Sequence, residues 1–253
     1  MTPYQYIISI ISKYKMSLTE SSAAYKKTKR LYPLIARWAK PYLLRISPTG
    51  SYAKETAIRG TTDIDLFISL SPGTPHTLSE VYKNLSAYLR GNGYPVREQN
   101  VSIGLTLDRL KIDLVPAKKQ PGLTSDHSIY RRKADTWTKT NINKHIVFVK
   151  ASGRLNEIRA MKIWRDLHGL EFPSFYLELS VIYALKGCSR LSMVPNLIKV
   201  LNFYAEDFVD TIIQDPSNSN NIISEDLTEK EKSSIAEMAG LSLNRATWAQ
   251  VIW

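Results

Sequence analysis

The sequence contains one cysteine, Cys188. No intrachain disulfide can form and no cysteine-based zinc site can be built, which fits a reducing compartment. Cys188 ends an apolar helical run, where a free thiol is ordinarily packed. The four histidines, His76, His127, His145 and His168, share no ligand spacing, and no Ser-His-Asp set is readable. Long apolar runs are also missing. No stretch approaches the ~20 residues needed to cross a bilayer. The opening "MTPYQYIISIISKYK" lacks the basic segment and apolar core of a secretory leader. The expectation is a cytoplasmic protein with no membrane insertion. No internal repeat is visible.

Negative charge is in short supply. Against 34 Lys and Arg stand 23 Asp and Glu, a formal net charge of +11. A surface this basic attracts polyanions, so nucleic acid, a nucleoside triphosphate or an anionic membrane is the expected partner class. With 253 residues, 43% of them hydrophobic, the chain can bury one large core or two small ones.

Residues 3–15 read as helical. A second helix is expected from a Ser17/Glu20 capping box to about Tyr42, kinked at Pro33. "ISPTGS" is read as the turn that ends it. Residues 63–70 alternate, with Ile64, Leu66, Ile68 and Leu70 on one face and Asp63, Asp65, Phe67 and Ser69 on the other, the period of a strand. Thr77 and Glu80 form a capping box for a helix that stops at Gly91. "VSIGLTL" and "LKIDLV" form a hairpin across Asp108 and Arg109. Residues 117–150 read as irregular, polar and basic. Helices are expected at 156–168, 174–187, 193–213 and 228–239, the last two separated by "QDPSNSNN". The expected fold is α+β, with a mixed-sheet domain over 1–150 and a helical domain over 151–253 closing a cleft.

Asp63 and Asp65, two apart on a strand, emerge on the same face, roughly 6–7 Å apart at the backbone. Asp113 joins them if its strand lies alongside. Three converging carboxylates make a site for a hard divalent cation, magnesium above all. Upstream, Gly50 permits a tight turn, and Thr49 and Ser51 offer hydroxyls for phosphate oxygens. A lone D-x-D is ordinarily a solvated pair, and a lone Gly-Ser carries nothing. Their combination, with a single Asp in an apolar strand some fifty residues on, points to a triphosphate held for attack at phosphorus.

"TGSYAKETAIRGTTDIDLFI" resembles the DNA polymerase β-like nucleotidyltransferase superfamily, in the branch of archaeal-type CCA-adding enzymes, oligoadenylate synthetases and bacterial cGAS/DncV-like (CD-NTase) enzymes. "DTWTKTNINKHIVFV", "RAMKIWRDLHG", "FPSFYLELSVIYAL" and "IIQDPSNSNNI" extend the resemblance more loosely. It implies a palm-like catalytic domain and two magnesium ions, with manganese as a substitute. Asp63 and Asp65 would hold both ions, Asp113 the one that activates the acceptor hydroxyl. Gly50 and Ser51 would bind the triphosphate, Lys162 phosphates and Ser174 the triphosphate tail, while Tyr176 would stack on the base. Alternatives stay open: Tyr176 as a core aromatic, Lys162 as a solvated surface charge.

By this resemblance the expected function is a template-independent transfer of NMP from NTP or dNTP to a hydroxyl. The product would be a linear or cyclic oligonucleotide, in bacterial antiviral defence, with a downstream effector protein as partner. CCA-like addition to an RNA 3′ end, or transfer to a protein hydroxyl, is the alternative within the enzymes, and a non-catalytic nucleic-acid-binding module the alternative outside them. Lys118, Lys119, Arg131, Arg132 and Lys133 are expected to hold an acceptor or growing strand through its phosphates. Charge runs of this kind otherwise simply solvate.

Overall fold

The computed structural model describes residues 1–17, 22–60 and 63–253. The chain divides into two compact units, one of Ser17–Ala53 and Thr62–Ile146, the other of Met1–Met16, Lys54–Thr61 and Val147–Trp253. The first sixteen residues and Lys54–Thr61 group with the helices.

The first unit is built on a seven-stranded sheet. In chain order its strands are β1 (Leu43–Pro48), β2 (Ile64–Leu70), β3 (Val96–Glu98), β4 (Ile103–Leu107), β5 (Leu110–Lys119), β6 (His127–Arg131) and β7 (Thr136–Thr140). The spatial order is β1-β2-β5-β4-β3, with β6 paired to β5 and β7 to β6. Among the described residues only β2 and β5 run parallel, in the register Asp65↔Asp113 and Leu66↔Leu114. The crossover between them contains α5 (Leu78–Gly91), which is started by the Thr77/Glu80 capping box. The tight β4–β5 turn is borne out: Asp108 and Arg109 both take positive φ, 48° and 68°, as a two-residue hairpin loop of the primed type demands.

The alternation of β2 orients the sheet. Ile64, Leu66, Ile68, Ile112 and Leu114 are fully buried on one face. Tyr82 of α5 meets Tyr130 there, with ring centroids 5.5 Å apart. On the opposite face, that of Asp65 and Asp113, Phe67, Ala117 and Ile129 form a small cluster joined by Val101, Val115 and Ile142. Both faces are covered beyond the aspartates, which is why Phe67 and Ser69 are buried where simple alternation predicts exposure.

Three sequence expectations are corrected here. The single long helix to Tyr42 is two short ones, α2 (Ala23–Lys29) and α3 (Tyr32–Ala39). Pro33 lies in the first turn of α3, where its missing N–H costs nothing, so it starts a helix rather than kinking one. Glu20 of the expected Ser17/Glu20 capping box lies outside the described residues. The "ISPTGS" turn is partly strand β1, antiparallel to β2. Residues 117–150 are ordered as the end of β5, β6, β7 and α6 (Ile142–Ala151).

The second unit gathers α1 (Pro3–Tyr14), α7 (Leu155–Leu167), α8 (Ser174–Ala184), α9 (Met193–Glu206) and α10 (Glu229–Leu243) around one apolar core. Trp164, Tyr176, Tyr204 and Phe208 are the largest of its fully buried apolar side chains. The expected helix at 193–213 ends at Glu206, and "QDPSNSNN" folds as hairpin β8 (Gln214–Asp215) and β9 (Asn218–Ile222). Asp215 pins that hairpin, accepting from the Ser217 amide at 2.7 Å and the Asn221 side chain at 3.2 Å. Ala57 and Arg59 are tied to the chain at the end of α1: the Met16 amide donates to the Ala57 carbonyl at 3.1 Å and the Arg59 amide to that of Tyr14 at 2.6 Å.

Candidate functional site

β1 ends at Pro48, and the chain turns at once into a single helical turn, α4 (Gly50–Ala53). The turn is tied to the neighbouring strand by the Thr49 amide, which donates to the Asp65 carbonyl at 2.9 Å. Gly50 has φ +60°, and a Cβ there would stand 1.7 Å from Oδ2 of Asp65. The glycine is required twice, for the left-handed backbone and for the carboxylate packed against it. Ser51 and Tyr52 are buried behind it. Burial, and then the charge of Asp63, push the Tyr52 hydroxyl above its ordinary pKa.

Asp63 stands just ahead of β2, and Asp65 is its second residue. Asp113, on β5, is the direct register partner of Asp65 and is 9% exposed. Its Oδ1 accepts from Gln99 Nε2 at 2.9 Å, and its Oδ2 lies 3.4 Å from the Ser102 hydroxyl. Desolvation raises its pKa first, and the charge of Asp63 raises it further. The guanidinium of Arg97 offsets part of this, standing 3.9 Å from Asp63. On the other side of β5, Gly104 is paired with Asp113. A Cβ on Gly104 would lie 2.9 Å from Asp113 Oδ1 and 2.8 Å from Gln99 Nε2.

Gln99 and Ser102 belong to the turn between β3 and β4. The Gln99 amide donates to the Ser102 carbonyl at 3.0 Å. From the other face, the Tyr82 hydroxyl stands 2.8 Å from the Gln99 carbonyl and 2.9 Å from that of Ser102. Arg97, Gln99, Ser102 and Gly104 all escaped the sequence reading. "REQNVSIG" carries no recognised pattern, and its importance comes from a pairing register that spacing alone does not reveal.

The chemistry of this donor set fits a hard divalent cation. A buried carboxyl with raised pKa beside a second carboxylate is a place where positive charge is wanted. Among the described residues, no three acidic, histidine or cysteine side chains are drawn together to the spacing of a finished metal centre.

The basic residues fall into two groups. Arg131 ends β6, and Arg132 and Lys133 begin the next turn. Arg132 Nε donates to the Gln99 carbonyl at 3.1 Å, beside the Asp113 support. Lys118 and Lys119 lie at the far end of β5, about 17 Å from Asp113 at strand spacing. Lys118 is committed locally, its Nζ donating to the carbonyls of Thr74 and His76 at 2.7 and 3.0 Å.

In the helical unit, Lys162 is not a solvated charge. It is 1% exposed, with Nζ 2.7 Å from Glu178 Oε1 and 3.0 Å from the Thr56 hydroxyl. Lys54 pairs with the other oxygen of Glu178. Tyr176 is fully buried, its ring 5.1 Å from that of Phe208 and 5.3 Å from that of Phe172, so it packs in the core. Ser174 is half-buried and accepts from Arg165 Nη1 at 2.9 Å.

The chain is 26% identical over 182 residues to a cyclic AMP-AMP-AMP synthase of Escherichia coli (strain MS 115-1), which covers 64% of this chain and 56% of that protein. It is 28% identical over 144 residues to the CCA-adding enzyme of Picrophilus torridus, covering 53% of this chain and 32% of that protein. The chain therefore matches little more than half the length of the first of these relatives and a third of the second. The solved structure of E. coli MS115-1 CdnC with ATP shares the fold, with a TM-score of 0.78, 20% identity, and coverage of 96% of this chain and 91% of that one. Residues 1–152 match the Second Messenger Oligonucleotide or Dinucleotide Synthetase (SMODS) domain; the chain belongs to that family, in the CD-NTase branch of the nucleotidyltransferase superfamily.

Proposed function

We propose that this chain is a template-independent, metal-dependent nucleotidyltransferase that moves NMP from NTP or dNTP to a hydroxyl and releases pyrophosphate. Its product would be a linear or cyclic oligonucleotide, made in bacterial antiviral defence and read by an effector protein. The observation that supports this most is the Asp65↔Asp113 register, with Gly50 packed against the Asp65 carboxylate.

In this reading Asp63, Asp65 and Asp113 would hold two magnesium ions, or manganese, whose chemistry there is to neutralise phosphate charge and lower the pKa of the attacking hydroxyl. The backbone at Gly50, with the Thr49 and Ser51 hydroxyls, receives triphosphate oxygens. Gln99 and Ser102 orient the Asp113 carboxylate, and Gly104 leaves room for it. Arg131, Arg132 and Lys133 hold an acceptor or product strand by its phosphates.

The test incubates the pure protein with each labelled NTP and dNTP, with magnesium or manganese, and resolves products after phosphatase and nuclease treatment. Phosphatase-resistant products and released pyrophosphate are expected. No transfer from any nucleotide overturns the reading. The match to a CCA-adding enzyme over 144 residues supports a second reading, addition to an RNA 3′ end; a parallel reaction with tRNA separates the two by whether label enters the RNA.

A further inference from the structure

The helical unit holds a cavity of about 420 Å³ that no step above uses. It is walled by α1, Glu55, the start of α7 and the loop ahead of α9. The volume is within the range of small-molecule sites, roughly 300–1,000 Å³.

Its charge is unbalanced. Two carboxylates line it, Glu55 and Glu157, and both already have cations from outside the lining. Glu157 accepts from Arg154 at 3.3 Å and from Asn196 at 3.0 Å, and Glu55 pairs with Lys150. Lys15, Arg159 and Arg190 also line the cavity, and no carboxylate among the described residues forms an ion pair with any of them.

Arg159 supplies the sharpest observation. It is 4% exposed. Nη1 donates to Asn156 at 2.8 Å and Nη2 to the Glu55 carbonyl, while Nε is buried with no acceptor. A buried cationic N–H without a partner is costly, and it marks where an outside acceptor fits. Arg190 is laid over Gly153, where φ is +71° and a Cβ would stand 2.8 Å from its Nε. Beside these cations, Tyr4 and Leu191 expose 53% and 94% of their surface. They offer a ring and an aliphatic wall for a flat apolar body.

We infer that this cavity is a nucleoside-phosphate site separate from the aspartates, with the phosphate on Arg159, Arg190 and Lys15 and the base against Tyr4 and Leu191. Two guanidinium groups favour an oxyanion that accepts several N–H bonds at once. The inference does not depend on the proposed transfer activity, since no aspartate of the sheet unit takes part.

The test is calorimetric titration of the full chain with AMP, adenosine and pyrophosphate, in EDTA so that metal-dependent binding is silent. Asp65→Asn serves as the control for binding at the aspartates. One saturable AMP site is expected in both wild type and Asp65→Asn, with adenosine and pyrophosphate each weaker. Lys15→Ala/Arg190→Ala should bind AMP at least tenfold more weakly. Arg190→Glu, a reversal at an exposed side chain, gives the same comparison should the double variant not fold. No binding of millimolar AMP overturns the inference, as does AMP binding that survives the Arg190 variants and disappears in Asp65→Asn. Transfer from NTP is not read, so failure here is distinct from failure of the proposed activity.

Discussion

Gly50 and Asp65 occupy one another's space: a Cβ on the glycine would stand 1.7 Å from the carboxylate oxygen. Gly50→Ala must therefore displace Asp65 or the turn, and also holds a left-handed backbone that costs an L-residue ~1–2 kcal/mol. We expect NTP affinity and transfer to fall together, transfer by on the order of 100-fold, with a modest loss of melting temperature. Calorimetry beside a transfer assay checks it. Normal NTP affinity in a folded Gly50→Ala protein would remove the turn from phosphate binding.

Gly104 makes the complementary case on the other side of β5. It has no positive φ, so a Cβ brings contact without backbone strain, 2.9 Å from Asp113 Oδ1. Gly104→Ala should lower transfer by roughly 10- to 100-fold while leaving NTP affinity within about threefold. Unchanged turnover would show that Asp113 tolerates displacement.

The three aspartates should separate by substitution. Asp63→Asn or Asp65→Asn weakens metal-dependent NTP binding and abolishes transfer. Asp113→Asn abolishes transfer with NTP affinity kept within about tenfold, ~1.4 kcal/mol. The sign of its effect on stability follows from the raised pKa of Asp113. The fold prefers the neutral carboxyl, so this group favours folding below its unfolded pKa and opposes it as pH rises through the folded one. In EDTA at pH 7, Asp113→Asn should therefore melt no lower than wild type. A large drop in melting temperature would contradict that electrostatic account.

Glu178 should behave in the opposite way. Burial pushes its carboxyl up, but Lys162 and Lys54 together outweigh burial and hold it at about 2. Its contribution is complete above the ordinary carboxylate pKa and is lost as pH falls from about 4.5 through about 2. Glu178→Gln strands two buried lysines and should cost ~3–5 kcal/mol. Lys162→Met should cost much less. Burial pulls that ammonium down to about 8 against the attraction of Glu178, and Lys54 still pairs the carboxylate. Chemical denaturation at pH 7 and acid titration by circular dichroism test both, and an equal loss in the two variants would show that Lys54 alone cannot satisfy Glu178.

The basic residues should not act as one surface. Replacing Arg131, Arg132 and Lys133 with Ala should lower the salt slope of single-strand binding by about 2, at ~0.7 per phosphate contact. Lys118→Ala should leave the slope unchanged, because its ammonium is spent on the carbonyls of Thr74 and His76. Equal slopes from the two variants would restore a single patch.

Asp63, Asp65, Asp113 and Gly50 were legible because each is tied to a local pattern: a period-two strand, a hairpin and a glycine before a D-x-D. The helix box at Thr77 follows the same logic of short-range capping. What escaped depends on partners distant in sequence. β1 shows no clean alternation because its pairing with β2 shifts register between Leu43 and Arg45. Lys162 looks like any helical lysine until Glu178 and Thr56 arrive from other elements. Gln99 matters only because β4 brings it beside β5.

The latch from Tyr82 to the β3–β4 turn carries a consequence for variation in the protein. Tyr82 is part of the buried stripe of α5, yet its hydroxyl fixes the carbonyls on either side of the turn that presents Gln99 and Ser102 to Asp113. Core packing on one face of the sheet and acid strength on the other are thus a single variable. Sequence drift along α5 that repacks the interior also retunes the carboxyl, so selection on either property constrains both.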